Sequence, residues 1–423
     1  MRVLLTGASG FIGRALVRAL EQRGHSVVRI GSRDADFGSV PSRDWWGPRL
    51  RGVDAVVNAV GILREQPHRT FQAVHAQAPA ELFHACADAS VRCVVQISAL
   101  GADEAARSRY HLSKKAADDV LRALPLRSAI VQPSLVYGPG GGSALLFNRM
   151  AAAPAWPLPQ GGRMRVQPVH VDDVAEGIAR LLEAPPAPGT TIVFSGAEPL
   201  SMRDYLQRLR RGLGIPGRLW VPPLPVPLFR AGAAVAGRLP GSMLDAETAD
   251  MLLRGNAAPS KDFARLLGRP PRALDDFVAP AEAAPMRTEA VLGLWLPVLR
   301  VALALMWLWT AAVSFGLYPV QDSLALLARV GLHGTFATIA LYGAAVLDLL
   351  LGALTLWAPP RWRRAVWSAQ LALIGGYMVL ITLFLPEFWL HPYGPILKNL
   401  PILAAIALLR ALEPAHAGAR AAA

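Results

Sequence analysis

The sequence predicts a parallel, doubly wound α/β domain followed by an all-helical bundle that crosses a membrane. Three observations carry this. Short apolar strands alternate with Ala/Leu/Arg-rich helices up to about residue 195, a glycine-rich turn joins the first strand to the first helix, and four apolar segments follow residue 300. At 423 residues the chain exceeds one ordinary domain, and a hydrophobic share of 53 % is high for a chain lying wholly in water.

Strands are expected at 2–5, 26–30, 55–58, 93–98, 128–132 and 191–195, each a β-branched or apolar run bounded by turn residues. The opening MRVLLTGASG reads as a strand entering a glycine turn, not as a signal peptide. From 199 to about 280 the strands are expected to stop, giving way to short Pro/Gly-punctuated helices, including 201–213 and 245–254, that form a substrate-side subdomain. The stretch 279–285 has linker composition and sets the expected boundary: an α/β domain over 1–285, a transmembrane domain over 286–415, and a tail over 416–423.

The apolar segments 301–317, 335–357, 365–385 and 396–409 are read as four spans, the last short. Arg361, Arg363 and Arg364 lie between the second and third, which by the positive-inside rule places that loop, the α/β domain and the tail in the cytoplasm of a bacterial-type cell whose inner membrane the bundle crosses. Asp348 falls mid-span, where a charge is costly, so it is either functional or paired with Arg300 or Lys398.

The formal charge of +13 comes from arginines scattered along the chain without a dense run or aromatic interleaving. That pattern excludes nucleic acid as the expected partner and fits an anionic cofactor and an anionic membrane face. Cys86 and Cys93 show no metal or redox spacing and read as buried thiols. His75 and His111 read as packed or solvated histidines, and no metal site is expected.

The chemistry begins at TGASGFIG, residues 6–13. Gly7, Gly10 and Gly13 allow backbone to approach a pyrophosphate, which would sit on the amides of Ser9, Phe11 and Ile12 and on the positive end of the first helix. The context, strand then motif then amphipathic helix, is that of a Rossmann dinucleotide site. After the second strand an NAD site would place an acid; this chain offers Arg29, Ser32 and Arg33, with Asp34 one step on and Arg14 beside the glycine turn. Guanidinium groups pair with a 2′-phosphate, so NADP(H) is favoured over NAD(H). The third strand ends in a loop, with Asn58, Val60 and Gly61, that should pass the adenine and ribose. Tyr110 and Lys114 stand one helical turn apart, so the ammonium is expected to lower the phenol's pKa and to hold the nicotinamide ribose.

On these motifs the chain resembles the extended and atypical short-chain dehydrogenase/reductase superfamily, the NAD-dependent epimerase/dehydratase type. The combination of residues 57–63, 73–75 and 98–102 is most similar to the branch holding the nucleotide-binding accessory subunit of respiratory complex I. The resemblance implies Tyr110 as general acid or base with Lys114 as its partner. It makes QPSLVYGP, with Pro133, the segment passing the nicotinamide, and gives His170 and Asp172 a structural role. The chain departs from the pattern where a hydroxyl should follow the fourth strand: Ser98 ends the strand, and Ala99 and Leu100 come next. The C-terminal part, with HPYGPILKNLP at 391–401, resembles the DoxX-like membrane family. Together these imply a membrane-anchored oxidoreductase or epimerase-like enzyme acting on a lipophilic small molecule, or a non-catalytic NADPH-loaded module of a membrane complex.

Overall fold

The computed structural model describes residues 1–238 and 244–414; the expected tail at 416–423 lies outside them. Six strands form one parallel sheet: β1 (Arg2–Thr6), β2 (Ser26–Ile30), β3 (Ala55–Asn58), β4 (Cys93–Ile97), β5 (Ser128–Pro133) and β6 (Thr190–Phe194). Their order is β6-β5-β4-β3-β1-β2. Leu5 stands opposite both Arg29 and Val57, so β1 is hydrogen-bonded on both sides. The inner strands β3, β4 and β5 are buried along their whole length, which explains why they read as nearly continuous apolar runs.

Helices α1 (Phe11–Gln22), α2 (Ala78–Asp88), α3 (Arg109–Ala123) and α4 (Val171–Glu183) cover the sheet. Leu16 and Leu20 of α1 share one core with Val174 and Ile178 of α4, whereas Leu82 and Phe83 of α2 share the opposite core with Ala117 and Leu121 of α3. Helix α3 starts where it does because the Ser108 hydroxyl accepts from the His111 amide.

Beyond β6 come α5 (Met202–Gly212), α6 (Val226–Ala236) and α7 (Ala246–Arg254), the last opened by a capping box between Asp245 and Thr248. Strand structure does not stop at 199 as expected. Leu200–Ser201 pairs with Arg165–Val166, and Pro223–Leu224 with Leu158–Pro159. Two-residue strands have no periodicity to read.

The chain divides into two compact units, Met1–Val291 and Leu292–Ala423. Residues 280–285, expected to belong to a linker, instead open the 33-residue helix α8 (Pro280–Ala312). Pro280 is its first residue, where a missing N–H costs nothing. After it come α9 (Val320–Arg329), α10 (Gly334–Trp357), α11 (Pro360–Phe384) and α12 (Asn399–Leu412). Among the described residues, three stretches are long and apolar enough to cross a membrane: Pro280–Leu317, Gly334–Trp357 and Pro360–Phe384. The fourth segment forms a helix of only 14 residues, about 21 Å against the ~30 Å of a hydrocarbon core.

Inside the second unit, the Trp307 indole donates to Gln370 (3.0 Å) and the Gln370 amide donates to Thr355 (2.7 Å). Arg300 is paired with Glu413 at 2.7 Å, not with Asp348. Asp348 is 3 % exposed, and its Oδ1 has no hydrogen-bond partner among the described residues.

Candidate active site

The strand order reverses direction between β1 and β3, and the loops leaving their carboxyl ends frame a crevice there. Gly7 takes φ +71°, and a Cβ on it would stand 2.8 Å from the Ala59 carbonyl. At Gly13 a Cβ would lie 2.0 Å from the Gly7 oxygen. The turn and the β3 loop are thus in backbone contact, which only glycine permits. Gly10 caps α1 without a side chain, so the first-turn amides from Phe11 to Gly13 face the crevice uncapped by any side chain. These residues fit a pyrophosphate.

The flanking residues divide into those that face this crevice and those that shape it. Ser9 is exposed, and its carbonyl takes a 2.7 Å bond from Arg14, whose other amino group reaches Gly140. The Phe11 ring lies under Gly141, where a Cβ would come within 2.9 Å of it. Arg33 is exposed just past β2, beside Asp34, whose carboxylate accepts from the Gly31 amide at 2.8 Å. Arg29 is paired with Glu21 of α1 (2.5 Å).

Asn58, expected to pass the adenine and ribose, is turned into the sheet. Fully buried, it accepts from Thr6 (2.6 Å) and Val60 (3.4 Å) and donates to Gln96 (2.7 Å), tying β1, β3 and β4 together below the crevice. Pro133 is likewise buried, its carbonyl accepting from Leu100.

Lys114 is 3 % exposed and donates to the Val60 and Ile97 carbonyls at 3.2 and 3.0 Å. An ammonium carries three donors, which leaves one beside Gly61, where a Cβ would come within 3.2 Å of Nζ. Burial pushes its pKa down to about 8, with Asp118 one turn along α3 pulling the other way. Asp118 is itself raised to about 6 by burial, against the lowering effect of the Ser98 hydroxyl, which donates to it at 2.5 Å. Ser98, at the end of the strand where the catalytic hydroxyl or a mere strand-end cap could stand, is therefore committed to a buried carboxyl.

His75 is the residue whose part was not legible. It lies in a π-helical turn, Gln72–Gln77, and is fully buried. Its Nε2 accepts from the Ile62 amide (2.9 Å), and its Nδ1 faces the Ser113 hydroxyl (3.0 Å), which itself donates to the Tyr110 carbonyl. This fixes a neutral ring with the proton on Nδ1. Burial, helped by the charge of Lys114, depresses its pKa to about 2. The unfolded state takes up a proton below about pH 6.5 that the folded state refuses, so stability is lost as pH falls through that point. Asp118, raised in the fold, works in the opposite sense below pH 6, so a variant comparison is needed to isolate the histidine. Relative to wild type, His75→Gln is expected to gain about 1.4 kcal/mol per pH unit below 6.5, read from unfolding at pH 7 and 5.5. An unchanged gap would mean a charged ring in the fold.

The Tyr110 ring is enclosed edge-on by Phe71, His75 and His111, with centroids 5.8, 5.3 and 5.2 Å away. Glu247 of α7 accepts from its amide at 2.8 Å. The ammonium was expected to lower the phenol. Instead burial pushes it up to about 12, and the Lys114 ammonium is bonded to the two carbonyls. Next to it, Leu100, Gly101, His111, Arg165, Met251 and Arg254 border a cavity of about 250 Å³ at the carboxyl end of β4. His170, 3 % exposed, caps α4 by accepting from the Asp172 amide, a structural placement.

Residues 3–194 match the model of the NAD dependent epimerase/dehydratase family. Over 282 residues the chain is 30 % identical to the 3-diazoavenalumate denitrifying reductase of Streptomyces sp, an alignment covering 57 % of this chain and 88 % of that protein. The chain belongs to the NAD dependent epimerase/dehydratase family. Its C-terminal part is DoxX-like, residues 304–407 matching that family's model. It is 31 % identical over 197 residues to the ceramide reductase of Caulobacter vibrioides, covering 43 % of this chain and 61 % of that one. It is also 26 % identical over 241 residues to NADH dehydrogenase (ubiquinone) 1 alpha subcomplex subunit 9 of Mus musculus, covering 53 % and 63 %. The chain thus spans less than two thirds of the length of these last two relatives. Among solved structures, a short-chain dehydrogenase/reductase superfamily protein from Agrobacterium tumefaciens with bound NAD shares the fold, with TM-score 0.52, 18 % identity, and coverage of 69 % of this chain and 99 % of that one.

Proposed function

We propose that the protein is a membrane-anchored, NADP(H)-dependent reductase of a carbonyl group on a lipophilic substrate, with residues 1–285 as the catalytic part and 286–415 as the anchor. The observation that carries this reading is the buried Lys114, which bonds the β3 loop at Val60, while Tyr110, one turn earlier on α3, packs edge-on against His75, which accepts from Ile62 of that same loop. The bound cofactor would supply a hydride to the carbonyl carbon. Tyr110 gives its phenolic proton to the carbonyl oxygen; a phenol held near pKa 12 keeps that proton at neutral pH and still gives it to an alkoxide, a far stronger base. Lys114 offers its third N–H to the ribose, Gly7, Gly10 and Gly13 admit the pyrophosphate, and Arg33 favours a 2′-phosphate. The names of the relatives, two reductases among them, support the reaction class.

A second reading has its own support. Ser98 is bound to Asp118, Ala99 and Leu100 follow it, and one relative is a subunit of a respiratory complex. On that reading the NADPH-loaded domain is a structural or sensing module. The test uses the detergent-purified full chain: titration with NADPH and NADH by fluorescence, then a panel of quinones and prenyl carbonyls. Tighter NADPH binding with turnover supports the reductase, binding without turnover on any carbonyl supports the module, and no binding overturns both.

A further inference from the structure

Helix α7 touches both the cavity and the tyrosine. Glu247, Met251 and Arg254 stand at i, i+4 and i+7 along it, on one face. Met251 and Arg254 border the cavity at the carboxyl end of β4, where Arg254 reaches Asp103 at 3.6 Å. Glu247 reaches α3 instead. One of its carboxylate oxygens accepts from the Tyr110 amide at 2.8 Å, and the other lies 3.8 Å from the Arg109 guanidinium. The far end of α7 is tied down by backbone: the Asn256 amide donates to the Arg165 carbonyl and the Gln167 amide to the Asn256 carbonyl, both at 2.8 Å.

The first turn of a helix has amides without an acceptor inside the helix. In α3 the Ser108 hydroxyl serves His111, and the Tyr110 amide takes its acceptor from another element. A carboxylate suits that place, because the bond is charge-assisted and meets the positive end of the helix. Arg109 also pairs with Glu65 at 2.8 Å, and Glu65 accepts from the amide of Phe71, whose ring stands edge-on to Tyr110. The backbone of Tyr110 and one wall of its ring are thus set by two carboxylates that share Arg109. We propose that α7 couples the cavity to the acid: Glu247 is a positioning residue through which a substrate group seated against Met251 and Arg254 aligns the Tyr110 phenol. This rests on Tyr110 being the acid, as proposed above. Contacts made by a part of the substrate remote from the carbonyl then raise turnover and not affinity alone.

The test measures NADPH-dependent turnover by the detergent-purified full chain on two compounds, the panel carbonyl reduced fastest and its homologue with a shorter prenyl tail. In the wild type the longer tail should give the higher kcat. Glu247→Ala is expected to lower kcat on the longer compound about 10- to 100-fold and to erase the difference between the two. NADPH affinity should stay as it is, since Lys114 and the glycine turn are untouched. Glu247→Gln keeps an acceptor oxygen and should retain most of the rate. A Glu247→Ala protein that turns over as the wild type does, or a tail effect on kcat that is missing from the wild type or survives in the variant, would overturn the coupling and leave Tyr110 in place as the acid. A wild type that reduces no carbonyl of the panel, or a fully active Tyr110→Phe protein, would instead overturn the reductase reading and this inference with it.

Discussion

Tyr110→Phe is expected to lower turnover by about 10²- to 10⁴-fold, the usual worth of a positioned general acid, while leaving NADPH affinity nearly unchanged. The substitution is clean for a structural reason. The tyrosine is located by its ring, against Phe71, His75 and His111, and by its amide, which donates to Glu247. Phenylalanine keeps all of these, so only the proton is removed. Thermal unfolding should move little, and the loss should appear in kcat more than in KM. A fully active Tyr110→Phe protein would remove Tyr110 from the chemistry. An inactive wild type that binds NADPH tightly would move the reading to the structural module.

Much of the fold was legible because the inner sheet strands are buried on both faces. Runs such as Ala55–Asn58 and Cys93–Ile97 are mostly apolar or β-branched and end at asparagine or just before Ser98, so strand ends follow directly from the residues. The substrate-side part was less legible. Its strands are two residues long and pair across 34 to 65 positions, as Leu200–Ser201 does with Arg165–Val166 and Pro223–Leu224 with Leu158–Pro159, and no local pattern encodes such a pairing. The segment at 279–285 misled because Ala, Glu and Pro serve both a linker and the first turn of a helix; what decides is the long apolar run downstream, which continues the helix from Pro280. At the site, the positions of Tyr110 and Lys114 followed from their spacing, but their electrostatics did not. Asp118 sits one turn beyond Lys114 on the same face of α3, a spacing open to inspection, yet the bond it draws from Ser98 exists only because β4 packs under that helix. The partner of Arg300 was hidden in the same way, since Glu413 lies 113 residues downstream.

Gly13→Ala is expected to abolish tight dinucleotide binding and to destabilise the first unit. The added Cβ would stand 2.0 Å from the Gly7 oxygen, 2.8 Å from the Gly7 carbonyl carbon and 2.9 Å from the Ala8 Cα. All three are backbone atoms of the turn itself, so no side chain can rotate away, and α1 must lift off the turn. Overpacking of this kind costs about 1–3 kcal/mol or more. Here the displaced element is also the helix whose first amides would hold the pyrophosphate, so affinity and stability should fall together. Gly232, inside α6 with nothing within 4 Å of its would-be Cβ, supplies the contrast. Alanine there should stabilise by about 0.5–1 kcal/mol through helix propensity alone and leave NADPH binding untouched. Fluorescence titration and thermal unfolding of the full-length variants read both effects. If Gly13→Ala bound NADPH as the wild type does, the turn would not be where the phosphates sit, and the cofactor assignment would fall with it.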